Sequence, residues 1–74
     1  MVHAVPPPPF AVGDRIRLLE MPHDPLPIPV GATGTVESLS FKQLGARAFW
    51  QVVVAWDNGR GLMLSIPPDM AEKV

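Results

Sequence analysis

The sequence predicts an all-β fold, a small barrel of four to five short antiparallel strands, and three observations lead to this. No segment sustains the 3.6-residue apolar period of an amphipathic helix. Several short segments instead alternate or run apolar, as strands do. Ten prolines in 74 residues separate these segments. One domain is expected, because a chain this short buries only about 60% of its unfolded surface.

The N-terminal segment VPPPPF, Val5 to Phe10, predicts an extended arm. Its prolines lack backbone donors, so the segment suits polyproline II rather than a helix or a strand. We assign residues 1–11 to a proline-rich arm, residues 12–70 to the barrel and residues 71–74 to a C-terminal tail.

The first half of the barrel is predicted to hold two strands and a stiff loop. In Asp14–Glu20, Ile16 and Leu18 fall on one face and the arginines on the other. The prolines of Met21–Gly31 exclude a central strand and predict a long proline-rich loop. A second strand follows over Ala32–Ser40, with Gly34 marking a bend or a close backbone approach. Residues 40–48 could hold one helical turn.

The second half predicts a hairpin between Ala48–Trp56 and Gly61–Ile66. If Asp57–Gly59 form a three-residue loop, Trp56 pairs with Arg60 and Val54 with Leu62. That register separates the faces, whereas a one-residue slip mixes them. One face then carries Trp50, Val52, Val54, Trp56, Leu62, Leu64 and Ile66, and the other carries Phe49, Gln51, Val53, Ala55, Gly61, Met63 and Ser65.

A few short strands in so small a chain leave edges and a face to cover, and closure into a barrel covers both. The long first loop and the later tight hairpin match the layout of SH3-like barrels. The segments GDRIRLLEMPHDPLPIPVGATGTV, VVVAWDNGRGLML and IPPD, between Gly13 and Asp69, also resemble the small domain family DUF4314. The chain departs from that pattern near Ala46–Trp50, where it is several residues longer. The resemblance implies the barrel and a bacterial or phage origin, and it implies no activity.

Composition restricts the function classes. The absence of cysteine excludes disulfides, thiolate metal sites and a cysteine nucleophile. A formal net charge of −1 disfavours general nucleic-acid binding, which uses a basic surface. No apolar run is long enough to cross a bilayer and no signal-peptide layout is visible, so we expect a cytoplasmic protein without a membrane partner. We expect no cofactor and no small-molecule substrate.

The hypothesis favoured by the sequence is a non-enzymatic module that binds a protein partner or a second copy of itself. The outward face of the hairpin would leave an apolar patch, and such patches mark partner contacts. The proline-rich loop lies where SH3-like barrels carry one wall of a peptide groove, which a peptide, a second copy or the chain's own proline arm could fill. The candidate partner-binding residues are Met21, His23, Asp24, Pro25, Phe49, Trp50, Val53 and Met63.

Three alternatives remain beside it. Adjacent His23 and Asp24 could support general-base catalysis, but no nucleophile stands at a recognisable spacing, so we predict no catalytic residue. Met1–His3 could bind copper(II) or nickel(II), although removal of the first methionine would destroy the spacing, so we predict no metal site. The third is a nucleic-acid-associated module of the KOW or SH3-like type, with phosphate contacts from Arg15, Arg17, Arg47 and Arg60. Nearby acids, Asp57 beside Arg60 above all, are expected to neutralise these arginines.

Overall fold

A computed structural model describes residues 5–74, and these form one sheet of five antiparallel strands. The strands are β1 (Arg15–Glu20), β2 (Thr33–Leu44), β3 (Arg47–Trp56), β4 (Leu64–Ile66) and β5 (Met70–Lys73), in the spatial order β4-β3-β2-β1-β5. The all-β prediction is confirmed. In this part of the chain no helix is long and apolar enough to cross a membrane. The candidate metal motif at residues 1–3 lies outside the described residues.

The sheet is not closed into the predicted barrel. Among residues 5–74 no ladder joins the two edge strands, β4 and β5. One reason is that β4 is only three residues long and is followed by Pro67 and Pro68, which have no N–H to donate. The Ile66–Pro67 and Pro67–Pro68 bonds are cis. The apolar face is covered instead by the loop between β1 and β2, whose Met21 and Ile28 are buried.

The predicted register of the β3–β4 hairpin is confirmed. Val52 pairs with Leu64 and Trp50 with Ile66, which continues the predicted pairing of Val54 with Leu62. Gly59 has a φ of +83°, and its N–H donates to the Trp56 carbonyl at 3.0 Å, as a turn closed by a left-handed glycine requires. Ladder pairing begins later than predicted, at Leu64 rather than Gly61.

One face of the sheet carries the core, and it is the predicted one. In β1, Ile16 and Leu18 are fully buried while the two arginines are exposed, so the predicted alternation is confirmed. The loop between β1 and β2 contributes to the same cluster. The buried apolar residues are Ile16, Leu18, Met21, Ile28, Val36, Val52, Val54, Trp56 and Leu64.

The helical turn that residues 40–48 could have held does not form. β2 continues to Leu44, which pairs with Arg47 across a two-residue turn at Gly45 and Ala46. Gly45 has a φ of +60°, and glycine at the first turn position is typical of the type II′ hairpin, whose twist matches that of the strands. At about 3.3 Å per residue the 12-residue β2 spans roughly 40 Å, close to the molecule's long dimension of 43 Å.

The C-terminal residues form a strand that the sequence analysis did not foresee. Residues 71–74 were predicted to be a tail, but Ala71, Glu72 and Lys73 pair with β1, and the Val74 N–H donates to the Arg15 carbonyl at 3.0 Å. The proline pair before them ends β4 without ending the sheet. β1 is therefore an interior strand, with β2 on one side and β5 on the other.

Candidate partner-binding site

The core-bearing face of the sheet continues beyond the core into three half-buried side chains on neighbouring strands. Phe41 on β2 lies opposite Trp50 on β3, and Trp50 lies opposite Ile66 on β4. The rings of Phe41 and Trp50 have centroids 5.5 Å apart and planes tilted by 58°, a geometry that aromatic quadrupoles favour. We call these three residues the aromatic row.

A bulge in β2 places Phe41 on this face. The β2–β3 register shifts between Val36 and Ser38, so that Glu37 is the extra residue. Because side chains alternate along a strand, one extra residue moves the inward positions from even to odd numbers. Val36 is buried before the bulge, and Leu39 and Phe41 are half-buried after it. Without the bulge, Phe41 would lie on the opposite face from Trp50.

The aromatic row lies in a groove of about 400 Å³, which we call the apolar groove. None of the described residues that line it is charged. The proline arm supplies part of its wall, and the arm then reaches the core at Phe10. The lining residues are Pro6, Pro7, Pro9, Phe41, Ala48, Phe49, Trp50, Ile66 and Pro67.

Within the described residues the indole nitrogen of Trp50 is buried and has no hydrogen-bond acceptor. The other tryptophan differs, since Trp56 Nε1 donates to the Leu62 carbonyl at 2.6 Å. A buried donor without an acceptor costs about 1–3 kcal/mol of desolvation. Trp50 therefore has an indole N–H at the apolar groove that could donate a hydrogen bond to a ligand.

A second, more polar cavity of about 800 Å³ adjoins the apolar groove, and Ala48 and Pro67 line both. We call it the polar cleft. Arg47 lies at its rim, with its guanidinium carbon 5.4 Å from the Phe49 ring centroid, within the range of a cation–π contact. The lining residues are His23, Asp24, Ala46, Arg47, Ala48, Met63, Ser65, Pro67, Pro68 and Asp69.

The two carboxylates of the polar cleft accept hydrogen bonds from backbone N–H groups. Asp24 Oδ1 accepts the Leu26 N–H at 2.8 Å, as an aspartate in a turn commonly does. Asp69 is buried, and its Oδ2 accepts the Ser65 N–H at 2.8 Å while its own N–H donates to the Ser65 carbonyl. His23 is exposed. The cleft therefore gathers His23 and two acids, but both acids hold turns in place.

Most of the predicted partner-binding residues lie at these two cavities. Phe49 and Trp50 line the apolar groove, and His23, Asp24 and Met63 line the polar cleft. Trp50 is half-buried.

Three predicted residues lie elsewhere. Met21 is only 7% exposed and belongs to the core, so its burial argues against a contact between its side chain and a partner. Pro25 is exposed on the loop, and Val53 is half-buried on the outward face of β3; neither lines a cavity.

Comparisons of the chain with family models, curated proteins and solved structures find no match.

Phe41 and Ile66 were not predicted to contribute to a binding surface, whereas the proline arm was named as a possible occupant of a groove. Gly45 carries the signal that could have found Phe41. If Gly45 and Ala46 are read as a two-residue turn, Leu44 pairs with Arg47 and the register then runs back to Phe41 opposite Trp50. No local pattern places the proline arm, because its position depends on packing between distant segments.

The four arginines of the nucleic-acid alternative have varied surroundings. Arg17 forms a 3.3 Å ion pair with Glu72, and Arg60 donates to the carbonyls of Leu26 and Pro27 at 2.6 and 2.8 Å. The predicted pairing of Asp57 with Arg60 is wrong, because Arg60 reaches the proline-rich loop and Asp57 pairs with Arg15. Arg47 is exposed at the rim of the polar cleft.

Arg15 and Asp57 form a two-pronged ion pair. Arg15 Nη1 and Nη2 donate to Asp57 Oδ1 and Oδ2 at 2.8 and 2.6 Å, and Thr33 Oγ1 also donates to Oδ2 at 2.6 Å. The hydrogen bonds from Arg15 and then from Thr33 hold the pKa of Asp57 well below its usual range. The same contact raises the pKa of Arg15. Both charges are therefore engaged within the fold.

Proposed function

We propose that this chain is a cytoplasmic, non-enzymatic interaction module that binds a segment of a partner protein at the apolar groove. The proposal takes the fold to be an open variant of the SH3-like type within a DUF4314-like group of domains. The observation that carries it is the aromatic row, because this apolar surface lies beyond the core and lines a cavity of about 400 Å³.

The fold assignment is supported by the topology. The long loop between β1 and β2 and the tight β3–β4 hairpin follow the layout on which the SH3-like comparison was based. The resemblance to DUF4314 rests on the segments quoted above.

The choice of a protein partner over nucleic acid or a small substrate is supported by the lining of the groove. Proline and aromatic side chains without charges suit an apolar peptide, whereas a phosphate backbone needs free cations. Arg15 and Arg17 are paired with acids. Against catalysis, the acids of the polar cleft accept backbone N–H groups and His23 is exposed.

Selection of a random displayed-peptide library on the immobilised full chain tests the proposal. We expect enriched peptides whose binding is lost in Trp50→Ala and Phe41→Ala. The matched control is Leu44→Ala, because Leu44 lies on the same hairpin, is 65% exposed and lines neither cavity. Dispersed amide spectra of all variants confirm folding.

Selection that enriches no peptide sensitive to Trp50→Ala contradicts the proposal. Light scattering over a concentration series separates a foreign partner from self-binding. A mass of one chain at all concentrations is the expected result. A mass of two chains would redirect the proposal to self-association.

A further inference from the structure

We propose that the apolar groove binds a polyproline II segment of another protein, and that the chain's own proline arm caps the groove in cis. This inference rests on the proposed function and specifies its ligand and its regulation. The arm forms one wall of the groove and would act as an internal competitor for the aromatic row, so that a partner segment takes the place of the arm beside those side chains.

The arm itself indicates which chemistry the groove accepts. Pro6, Pro7 and Pro9 line the groove together with the aromatic row, while Phe10 anchors the end of the arm on the core. Consecutive prolines are fixed in an extended helix before they bind, so they lose little conformational entropy on docking against aromatic rings. A ligand that is also a polyproline II segment can therefore pack against the same aromatic side chains.

The unpaired indole of Trp50 indicates that the capped state is incomplete. Polyproline II leaves its backbone carbonyls without internal partners, so a docked segment presents an acceptor at every residue. Trp50 Nε1 is a buried donor that none of the described residues satisfies. A partner segment that places a carbonyl on Trp50 Nε1 gains a hydrogen bond that the cap does not make, and this difference lets it displace the arm.

The covalent link to the domain makes the arm an effective competitor even though it leaves Trp50 Nε1 without an acceptor. A segment joined to its site by a short linker acts at an effective concentration in the millimolar range. A partner peptide therefore binds with an apparent affinity reduced by the fraction of molecules in which the groove is open. Replacing the prolines of the arm should therefore raise the affinity for an external ligand while the aromatic row stays unchanged.

The test is a titration of the ¹⁵N-labelled full chain with a blocked synthetic peptide that contains VPPPPF, followed by the indole N–H resonances. It is repeated on a full-length variant in which Pro6, Pro7, Pro8 and Pro9 are replaced by Gly-Ser-Gly-Ser. We expect the Trp50 indole signal to move in both proteins, with affinity at least about tenfold higher in the variant. The Trp56 indole, bonded to Leu62, should stay still and serves as the internal control.

A Trp50→Phe change in the arm variant tests the hydrogen bond apart from the ring. It keeps a smaller aromatic ring and removes the indole N–H. Because a free peptide is not held at Phe10 as the arm is, it can shift along the groove until a carbonyl meets that donor, so we expect affinity to fall by about five- to tenfold. In the unmodified chain without peptide, nuclear Overhauser contacts between the arm prolines and the rings of Trp50 and Phe41 should be present. This second measurement tests the cap even if the arm variant does not fold.

Each other outcome overturns the inference in a distinct way. Equal affinity in the two proteins would show that the arm is no cap. No response to the proline peptide, while library-selected peptides still bind, would remove the inference and leave the proposed function standing. Failure of both ligand types would remove both. A two-chain mass that becomes one chain in the arm variant would assign the groove to a second copy's arm.

Discussion

Gly34 lies where the paired strands β2 and β3 come so close that only glycine fits without displacing its neighbours. An added Cβ at Gly34 would lie 2.6 Å from Val54 Cγ1 and 2.8 Å from the Ala55 carbonyl oxygen, closer than real contacts allow. The second neighbour is backbone and cannot rotate away. The sequence predicted a bend or a close backbone approach at Gly34, and in the structure the backbone of β3 lies close to it.

Gly34→Ala should therefore destabilise the fold by about 1–3 kcal/mol, because β2 must move away from β3 to admit the methyl group. Chemical denaturation measures the loss. Gly61→Ala is the matched control, since nothing lies within 4 Å of its added Cβ, and it should change stability by less than about 0.5 kcal/mol. Equal effects in the two variants would contradict the crowding argument.

The Arg15–Asp57 pair predicts a pH-dependent contribution to stability. The pKa of Asp57 is lower in the folded chain than in the unfolded chain, where a carboxyl titrates near about 4. The stabilisation is therefore complete above about pH 4 and is lost as the pH falls towards the folded-state pKa. We expect Asp57→Asn to lower the melting temperature at pH 7.

The difference in melting temperature between wild type and Asp57→Asn should shrink as the pH is lowered from 4 towards 2. Added salt should shrink it at pH 7 as well, because both side chains are about half exposed. Asp24→Asn is a suitable control, because among the described residues that carboxylate accepts a hydrogen bond from the Leu26 N–H and forms no ion pair. A difference that is constant across this pH range would contradict the assignment.

At the scale of elements, strands with a one-sided apolar pattern were predictable and packing between distant segments was not. The alternation of Ile16 and Leu18 and the separated faces of the β3–β4 hairpin follow from local periodicity. The extension of β2 to Leu44 was missed because SFKQL has no clean alternation, and the bulge at Glu37 shifts its phase. β5 was missed because MAEK carries little apolar signal and is held by pairing with β1.

The loop between β1 and β2 is fastened to the β3–β4 hairpin by Arg60. Its guanidinium bridges the carbonyls of Leu26 and Pro27, and Ile28 next to them is 1% exposed in the core. Arg60→Ala should therefore speed amide hydrogen exchange at Leu26 and Gly31 while the β2–β3 ladder keeps its protection.

Arg60→Lys should not restore protection, because an ammonium group lacks the planar fork that reaches two carbonyls at once. Arg47→Ala provides the control, since Arg47 contacts Phe49 at the other end of the hairpin. Exchange rates at Leu26 and Gly31 that are the same in Arg60→Ala and wild type would show that burial of Ile28 alone holds the loop.

For the whole molecule, charge and its pairing decide the response to nucleic acid. A net charge of −1, with Arg15 and Arg17 engaged by Asp57 and Glu72, leaves little to neutralise a phosphate backbone. We predict no salt-sensitive retention on single-stranded DNA at moderate ionic strength. A charge-reversed variant with Asp57→Lys and Glu72→Lys is the positive control and should be retained. Retention of the wild type that falls with salt would favour the nucleic-acid alternative.

The open sheet also bears on resistance to aggregation. Its outer strands, β4 and β5, are three and four residues long, which offers a template too short for another chain to extend. Pro67 and Pro68 end one outer strand, and Glu72 and Lys73 put charge on the other. Among the described residues, however, β2 pairs with β3 alone from Ser38 to Leu44, so its other side is a longer edge. Edge-to-edge polymerisation would therefore begin along Ser38–Leu44 of β2, where the charge of Lys42 opposes the approach of another strand.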